Sequence, residues 1–268
     1  YANEIQRPEF GERLDGLLRK RSADLYGIVN GINYHEFNPK TDPRIHCNYD
    51  QNSLENKREN KFALQKEMGL PVKNVPLIGM ITRLVEQKGL DLVAGIIDRL
   101  LETDLQFVLL GTGDRYYENV FSEVKRRYPE KAGIQIGFNA ILAQRIYAGA
   151  DIFLMPSRFE PCGLGQLIAM RYGTVPVVRA VGGLADTVHD FNPVTGSGNG
   201  FVFSEYSEEA LLHTVGRALA LFRNDPARWE KLVRHAMEID FSWARSAVEY
   251  VQLYQEAISR HLQRAKIA

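Results

Sequence analysis

Residues 151–188 constrain the fold more than any other part of the chain, because they carry one short pattern twice. In each copy an apolar segment is followed by a glycine-rich turn and then by the start of a helix. The apolar segments are residues 152–155 and 175–178. Neither alternates apolar with polar residues, which is typical of strands in a parallel sheet that is covered on both faces.

The two turns predict a ligand site. The first turn spans residues 161–165, and Gly182 and Gly183 form the second turn before the next helix. Glycine lets the backbone approach a ligand closely, and helix N-termini attract anions. Two such turns in an α/β chain indicate a phosphate-bearing ligand at the carboxyl edge of the sheet. Glu160 directly precedes the first turn, where it is placed to meet a neutral, hydroxyl-rich group on that ligand.

The rest of the chain extends the same alternation of strands and helices. Further strands are predicted at 77–81, 107–110, 134–136 and 201–203, and helices at 54–68, 90–102, 116–128 and 141–150. Strands that alternate with helices of this length form right-handed βαβ units. We therefore predict an α/β fold with a Rossmann-like, doubly wound parallel sheet.

The C-terminal part is predicted to be helical. Ser207, Pro226 and Ser242 are residue types that begin helices. The last of these helices carries one apolar face, because apolar residues recur there at steps of three and four. They are Ala247, Val251, Tyr254 and Ile258.

Composition excludes several classes of protein. The 268 residues carry 33 basic and 33 acidic side chains, so no overall charge recruits nucleic acid or an anionic membrane. No apolar run approaches the roughly 20 residues of a spanning helix. Two cysteines make no disulfide framework, which indicates a reducing, intracellular setting. The chain starts at Tyr1 rather than at a methionine, and we interpret it as a fragment of a longer protein.

Two cations follow the first regular strand. Arg83 and Lys88 are predicted to lie at the same sheet edge as the glycine turns, where they could neutralise a diphosphate and the charge that grows as it leaves a sugar. Most arginines and lysines are solvated surface residues, which is the alternative interpretation.

Three further residues at strand ends have two interpretations each. Gly111 and Gly113 follow a strand and precede a helix, so they either contact a ligand or only form a tight turn. Phe138 follows the next strand and either stacks on a nucleobase or belongs to the core.

Glu160 and Cys162 are the remaining candidates for chemistry. Glu160 is our candidate for a catalytic carboxylate, although a carboxylate at a helix start often only satisfies free amides. Cys162 has no histidine near it in sequence, so a small buried cysteine is favoured over a nucleophile. The six histidines lack metal-ligand spacing, and no two aspartates are separated by one residue, so we expect phosphate binding without a metal or other cofactor.

Several motifs together resemble one family. Glu-Pro-Cys-Gly-Leu-Gly-Gln at 160–166 and Gly-Gly-Leu-Ala-Asp-Thr-Val at 182–188 are similar to the C-terminal domain of bacterial glycogen synthases and plant starch synthases. Arg-Leu-x-x-Gln-Lys-Gly-Leu-Asp at 83–91 and Leu-Gly-Thr-Gly-Asp at 110–114 fit the same family, in order and correctly spaced. The resemblance covers essentially the whole chain. It implies a GT-B glycosyltransferase that uses ADP-glucose, elongates an α-1,4-glucan with retention, and works in the cytoplasm or, in a plant, in the plastid stroma.

The resemblance also assigns roles to residues. It implies that Arg83 and Lys88 contact the diphosphate and assist the departure of ADP, that Glu160 holds the glucose hydroxyls, and that Phe138 packs on adenine. The remaining nucleotide-sugar contacts implied are Gly111, Gly113, Cys162, Gly163, Leu164, Gly165, Gly182, Gly183 and Leu184. Two positions depart from the family pattern, since Val181 replaces a usual threonine and Asn33 a usual aspartate.

The resemblance divides the chain into three parts. Residues 1–25 match the end of a preceding domain, 26–240 form the nucleotide-sugar domain, and 241–268 form a helix that crosses back to the preceding domain. That domain would bind the glucan acceptor, so we expect little or no activity from this chain alone. Two alternatives remain open, namely a GT-B transferase that uses a UDP-sugar, and a non-catalytic module that binds nucleotide-sugar or glucan.

Overall fold

The computed structural model describes residues 1–267, with side chains described for residues 1–263. The chain divides into two compact units, Glu36–Ile239 and a second unit that joins Tyr1–His35 to the segment from Asp240 onward. The helices are α1 Asp15–Lys20, α2 Glu55–Glu67, α3 Leu90–Leu101, α4 Arg115–Arg127, α5 Ala140–Gly149, α6 Gly165–Arg171, α7 Gly182–Thr187, α8 Glu208–Asn224, α9 Pro226–Glu238 and α10 Trp243–Ile267. The strands are β1 Leu77–Leu84, β2 Gln106–Gly113, β3 Ala132–Ile136, β4 Ile152–Met155, β5 Val175–Arg179 and β6 Phe201–Phe203.

The larger unit is built on one parallel sheet. Its six strands lie in the order β3-β2-β1-β4-β5-β6, and every neighbouring pair is parallel. The chain winds outward from β1 to β3 on one side and from β4 to β6 on the other, which is the doubly wound arrangement. The predicted α/β fold is therefore confirmed.

The predicted strands are found, and four of them are longer than expected. β3 begins two residues earlier, at Ala132, and β5 ends one residue later, at Arg179. β4 and β6 have the predicted bounds, whereas β1 and β2 each continue three residues further, to Leu84 and Gly113. The extra residues pair with each other, Arg83 with Thr112 and Leu84 with Gly113. This added pairing carries the predicted strand-end residues Arg83, Gly111 and Gly113 into the sheet itself.

Helices α2 and α5 pack on one face of the sheet. Ile146 of α5 and Leu64 of α2 are at most 1% exposed and belong to the same cluster as Leu77 and Val108 of the sheet. These side chains come from segments that are far apart in sequence. The burial of this apolar area fixes the helices against the strands, at roughly 25 cal/mol for each Å² removed from water.

Two helix starts in this unit follow the predicted chemistry. The Ser207 hydroxyl accepts a hydrogen bond from the Ala210 amide at 3.3 Å and so caps α8. Pro226 is the first residue of α9, and the Asp225 carboxylate before it accepts from the Arg228 amide at 3.0 Å. Both arrangements satisfy amides that have no acceptor inside their own helix.

The smaller unit joins the two ends of the chain. The Ile32 amide donates to the Phe241 carbonyl at 2.8 Å, and the Ser246 hydroxyl donates to the Val29 carbonyl at 2.9 Å. The apolar face predicted for α10 is exposed, with Tyr254 61% accessible. In the part of the chain that is described, no helix combines the length and the apolar composition that crossing a bilayer requires. The three-part domain division stays a prediction.

Candidate functional site

The candidate site lies at the carboxyl ends of β1 and β4. These strands are neighbours, yet the chain leaves β1 toward β2 on one side and leaves β4 toward β5 on the other. Such a switch in strand order opens a crevice at the sheet edge, where α/β proteins bind ligands. A cleft of about 220 Å³ occupies this position. It is lined by Met80, Ile81, Thr82, Arg83, Lys88, Tyr147, Leu154, Met155, Ser157, Glu160, Gly163, Leu164 and Gly165.

An ion pair lies in the wall of this cleft. Nζ of Lys88 is 2.6 Å from Oε2 of Glu160, and Oγ of Ser157 donates to the same oxygen at 3.0 Å. Glu160 is 6% exposed and Ser157 1% exposed. The Glu160 carboxylate therefore meets a side-chain cation and a hydroxyl rather than the amides of the following helix. Both of these contacts are made by Oε2, and neither is made by the other carboxylate oxygen, Oε1.

Close packing of two loops brings the charged pair together. After β1 the chain forms a short 3-10 turn, Glu86–Lys88, and Gly89 with φ +71° is the N-cap residue before α3. A Cβ on Gly89 would lie 2.1 Å from the Pro156 carbonyl oxygen, which belongs to the loop after β4. Gly89 thus allows both the left-handed backbone and the approach that places Lys88 against Glu160.

Arg83 lines the same cleft from the end of β1. It is exposed, and its guanidinium lies 3.4 Å from Oε1 of Gln87. Gln87 in turn donates to the Phe159 carbonyl at 3.2 Å. The structure therefore brings Arg83 and Lys88 to one cleft, as predicted, and adds Gln87 as the link between the two loops.

The first glycine turn forms another wall of the cleft. Gly163 has φ +71°, Leu164 is 46% exposed and Gly165 is the first residue of α6. The first hydrogen bond within this helix runs from the Ile168 amide to the Leu164 carbonyl at 3.0 Å. The amides of residues 165–167 precede that bond, so they have no acceptor within the helix. This is the kind of backbone that binds anions.

Cys162 is half-buried rather than buried, which corrects the expectation for this side chain. Its Sγ lies 3.5 Å from the Gly163 carbonyl oxygen. Its own carbonyl packs against the second glycine pair, because a Cβ on Gly183 would lie 2.0 Å from the Cys162 carbonyl oxygen. The close approach of the Cys162 backbone, more than its thiol, therefore explains why position 183 is a glycine.

The second glycine pair lies inside a helix, not in a turn before it. Gly182 and Gly183 are buried and form the first turn of α7. The Gly183 amide donates to the Glu160 carbonyl at 3.1 Å, and the Leu184 amide donates to the Val181 carbonyl at 3.0 Å. These two amides serve the protein's own backbone, and the predicted phosphate contacts of Gly182, Gly183 and Leu184 remain predictions.

Gly111 and Gly113 lie within β2 and do not line the cleft. A Cβ on Gly111 would lie 2.1 Å from the Thr82 carbonyl oxygen, so tight pairing with β1 accounts for this glycine. The Gly113 amide donates to a Glu118 carboxylate oxygen at 3.0 Å. A Cβ on Gly113 would lie 2.5 Å from the Leu84 carbonyl oxygen, so packing accounts for both glycines. Their ligand contacts stay predictions.

Phe138 is 90% exposed, so the alternative that it belongs to the core is wrong. Its loop is tied to the sheet edge, because the Gly137 amide donates to the Gly111 carbonyl at 2.9 Å. An exposed ring held at this edge has a free face on which a base could stack. That role remains a prediction.

Ser157 and Gln87 are the site residues that sequence reasoning missed. Ser157 is a small polar residue two positions after β4, and polar residues directly after buried strands are a usable signal for a sheet-edge site. Gln87 lies between the two predicted cations and carries no such signal. Among the residues whose side chains are described, no group of three or more histidine, cysteine, aspartate or glutamate side chains is placed to hold a metal ion.

Comparison with known proteins agrees with this geometry. The family model described as "Glycosyl transferases group 1" matches residues 62–235. The chain is 64% identical over 260 residues to the glycogen synthase of Desulforudis audaxviator and 60% identical to that of Moorella thermoacetica, covering 97% of this chain and 52% and 53% of those proteins. The chain thus spans about half the length of these relatives.

A solved structure supports the same assignment. The catalytic domain of starch synthase IV from Arabidopsis thaliana, bound to ADP and acarbose, superposes with a TM-score of 0.91 at 39% identity. The match covers 97% of this chain and 54% of that one. The resemblance to glycogen and starch synthases is thereby confirmed, as is the GT-B type of fold. Because the family model covers more than half of its residues, the chain belongs to the group 1 glycosyl transferases.

Proposed function

We propose that this chain is the donor-binding half of a retaining glucosyltransferase, which moves glucose from ADP-glucose to the non-reducing end of an α-1,4-glucan. The observation that carries the proposal is the Lys88–Glu160 pair in the cleft between β1 and β4, at 2.6 Å. A cation for the phosphates and a carboxylate for the sugar hydroxyls thereby lie side by side. The similarity to a starch synthase that binds ADP supports the choice of nucleotide.

Each group has a distinct task in this proposal. Arg83 and Lys88 neutralise the diphosphate and, more strongly, the negative charge that grows on ADP as the glycosidic bond breaks. Glu160 keeps Oε2 on Lys88 and Ser157 and accepts hydrogen bonds from glucose hydroxyls with Oε1. The backbone of the first glycine turn, Gly163 to Gly165, meets the sugar and phosphate. These groups need no metal ion for the phosphate.

The proposal divides the work between this chain and the rest of the protein. The chain spans about half the length of its relatives, and transfer requires a cleft that closes and excludes water. We therefore assign donor binding to this chain and acceptor binding to the remaining length. On its own the chain is expected to bind the donor and to transfer little or no glucose.

A transfer assay with the full-length protein that contains this chain tests the proposal. Labelled glucose is offered as ADP-glucose or UDP-glucose with glycogen as acceptor, with and without EDTA. We expect faster transfer from ADP-glucose, α-linked product and no loss with EDTA. Faster transfer from UDP-glucose would indicate a UDP-sugar transferase, and binding without transfer would indicate a non-catalytic module.

A further inference from the structure

Gln166 is a fully buried amide directly beneath the first glycine turn, with an exposed fraction of 0%. Its Nε2 lies 2.9 Å from the Gly163 carbonyl oxygen, 3.1 Å from the Cys162 carbonyl oxygen and 3.1 Å from Oγ1 of Thr187. The Thr187 hydroxyl donates its own hydrogen bond to the Gly183 carbonyl at 2.6 Å, so it accepts the one from Nε2. All three neighbours of Nε2 are therefore acceptors, which fixes the orientation of the amide.

The other end of the amide shows what the site requires. In the part of the chain whose side chains are described, no hydrogen-bond donor reaches Oε1 of Gln166, although that atom is buried. Leaving a buried acceptor unpaired is unfavourable. The hydrogen bonds of Gln166 are therefore made at its donor end, which holds the carbonyl groups of the turn.

Holding those carbonyls also orients the amides of the turn. In a trans peptide the C=O and N–H groups point in opposite directions, and the described chain has no cis peptide bond. Because the Cys162 and Gly163 carbonyls point to Gln166, the N–H groups of Gly163 and Leu164 point away from it. Gly163 and Leu164 both line the cleft. Gln166 thus turns anion-binding groups outward without touching the ligand.

Thr187 couples this turn to the second glycine pair. Its hydroxyl links Gln166 to the Gly183 carbonyl, and the Gly183 amide donates to the Glu160 carbonyl at 3.1 Å. This series of hydrogen bonds therefore connects the first turn to the second glycine pair, and the second pair to the backbone of Glu160. Thr187 is 4% exposed, so water does not compete for its bonds.

We propose that Gln166 and Thr187 are positioning residues, which hold the two glycine segments in the arrangement that donor binding needs. The inference rests on the proposed function, because it concerns the same donor site. The buried hydrogen bonds of Gln166 and Thr187 thus increase the affinity for the nucleotide diphosphate and do not serve stability alone.

Titration of this chain with ADP, in the wild type and in Thr187→Val and Gln166→Met variants, tests the inference. Each substitution keeps the volume nearly unchanged and removes the hydrogen bonds. We expect the Kd for ADP to rise about tenfold in each variant. Thr187→Ser, which keeps the hydroxyl, is expected to bind ADP within about twofold of the wild type.

Thr214→Val is the matched control, and its melting temperature is measured alongside. Thr214 is 3% exposed and donates to the Ala210 carbonyl at 2.8 Å, four residues back in its helix, as Thr187 does to Gly183. We expect this control to lose stability and to keep its ADP affinity. If Thr187→Val and Gln166→Met also lose only stability, the inference is overturned while the proposed function stands. If the wild-type chain binds no ADP, both are overturned.

Discussion

Nζ of Lys88 lies 2.6 Å from Oε2 of Glu160, although the two residues are 72 positions apart in the chain. They reach each other because β1 and β4 are neighbours whose carboxyl ends meet at one edge. The pair places opposite charges on one cleft, and in our account the cation serves the diphosphate and the carboxylate serves the sugar. In this account stability and catalysis both depend on the same contact, and single and double substitutions separate the two effects.

Neutralising the two residues singly and together separates these roles. Lys88→Met leaves a buried carboxylate without its cation, and we expect a loss of about 3 kcal/mol in the free energy of unfolding. Adding Glu160→Gln removes the stranded charge and should restore most of that stability. Turnover of the full-length enzyme should fall at least about a hundredfold in both single variants and in the double variant. Urea unfolding and initial rates measure the two effects, and a double variant that regains activity would refute the assigned roles.

Replacing Phe138 tests the exposed ring at the end of β3. Because the ring is 90% exposed, Phe138→Ala should change the free energy of unfolding by no more than about 0.5 kcal/mol. If adenine stacks on it, the variant should lose about 1–3 kcal/mol of ADP binding energy. Val194→Ala, at a side chain 89% exposed and outside the cleft lining, is the control. Equal ADP affinity in both variants would show that no stacking occurs.

The buried Asp42 should make stability sensitive to acid. Burial opposes its ionisation, but hydrogen bonds from Arg44 at 2.7 Å and from Tyr172 at 2.5 Å outweigh burial and hold the pKa of Asp42 below its usual value. Because its pKa is lower in the folded state, Asp42 stabilises the fold at pH values above its unfolded pKa of about 3.9. The fold loses this contribution as the pH falls through the folded-state pKa.

Comparison of Asp42→Asn with the wild type measures this contribution. The variant should be less stable at pH 7, and the difference should shrink as the pH is lowered below about 4. The exposed Asp104→Asn is the control and should show no such trend. Urea unfolding between pH 3 and pH 7 provides the data. A stability difference that is constant over this range would contradict the account.

Lys57 should make stability depend on pH in the same direction, but on the alkaline side. Burial lowers its pKa to about 7, with Asp151 nearby opposing the change. Between that value and the unfolded value of about 10.4, the unfolded chain holds a proton that the folded chain has released, so stability should rise with pH. Lys57→Met should flatten this rise, and the exposed Lys73→Met should not. Unfolding midpoints at pH 7, 8 and 9 decide between these outcomes.

Local sequence pattern was sufficient to predict the fold. Unbroken apolar segments such as 152–155 identified the strands, and the caps at Ser207 and Pro226 identified helix starts. The ends of β1 and β2 were placed too early, because Arg83 and Thr112 are polar residues that no apolar pattern includes. They join the sheet through backbone pairing, which carries no signature in side-chain type.

The sequence predicted which residues form the candidate site better than it predicted the contacts between them. Arg83, Lys88 and Glu160 line one cleft as expected, since parallel strands deliver their carboxyl ends to one edge. The partner of Glu160 and the internal use of the Gly183 amide were not predicted. Both depend on how two loops pack in three dimensions, which chain spacing does not specify.

Calorimetric titration of this chain with ADP and, separately, with UDP tests the central claim most directly. The account predicts tighter binding of ADP than of UDP, and loss of that binding in Lys88→Met. UDP binding as tight as ADP binding, or undiminished ADP binding in Lys88→Met, would contradict it.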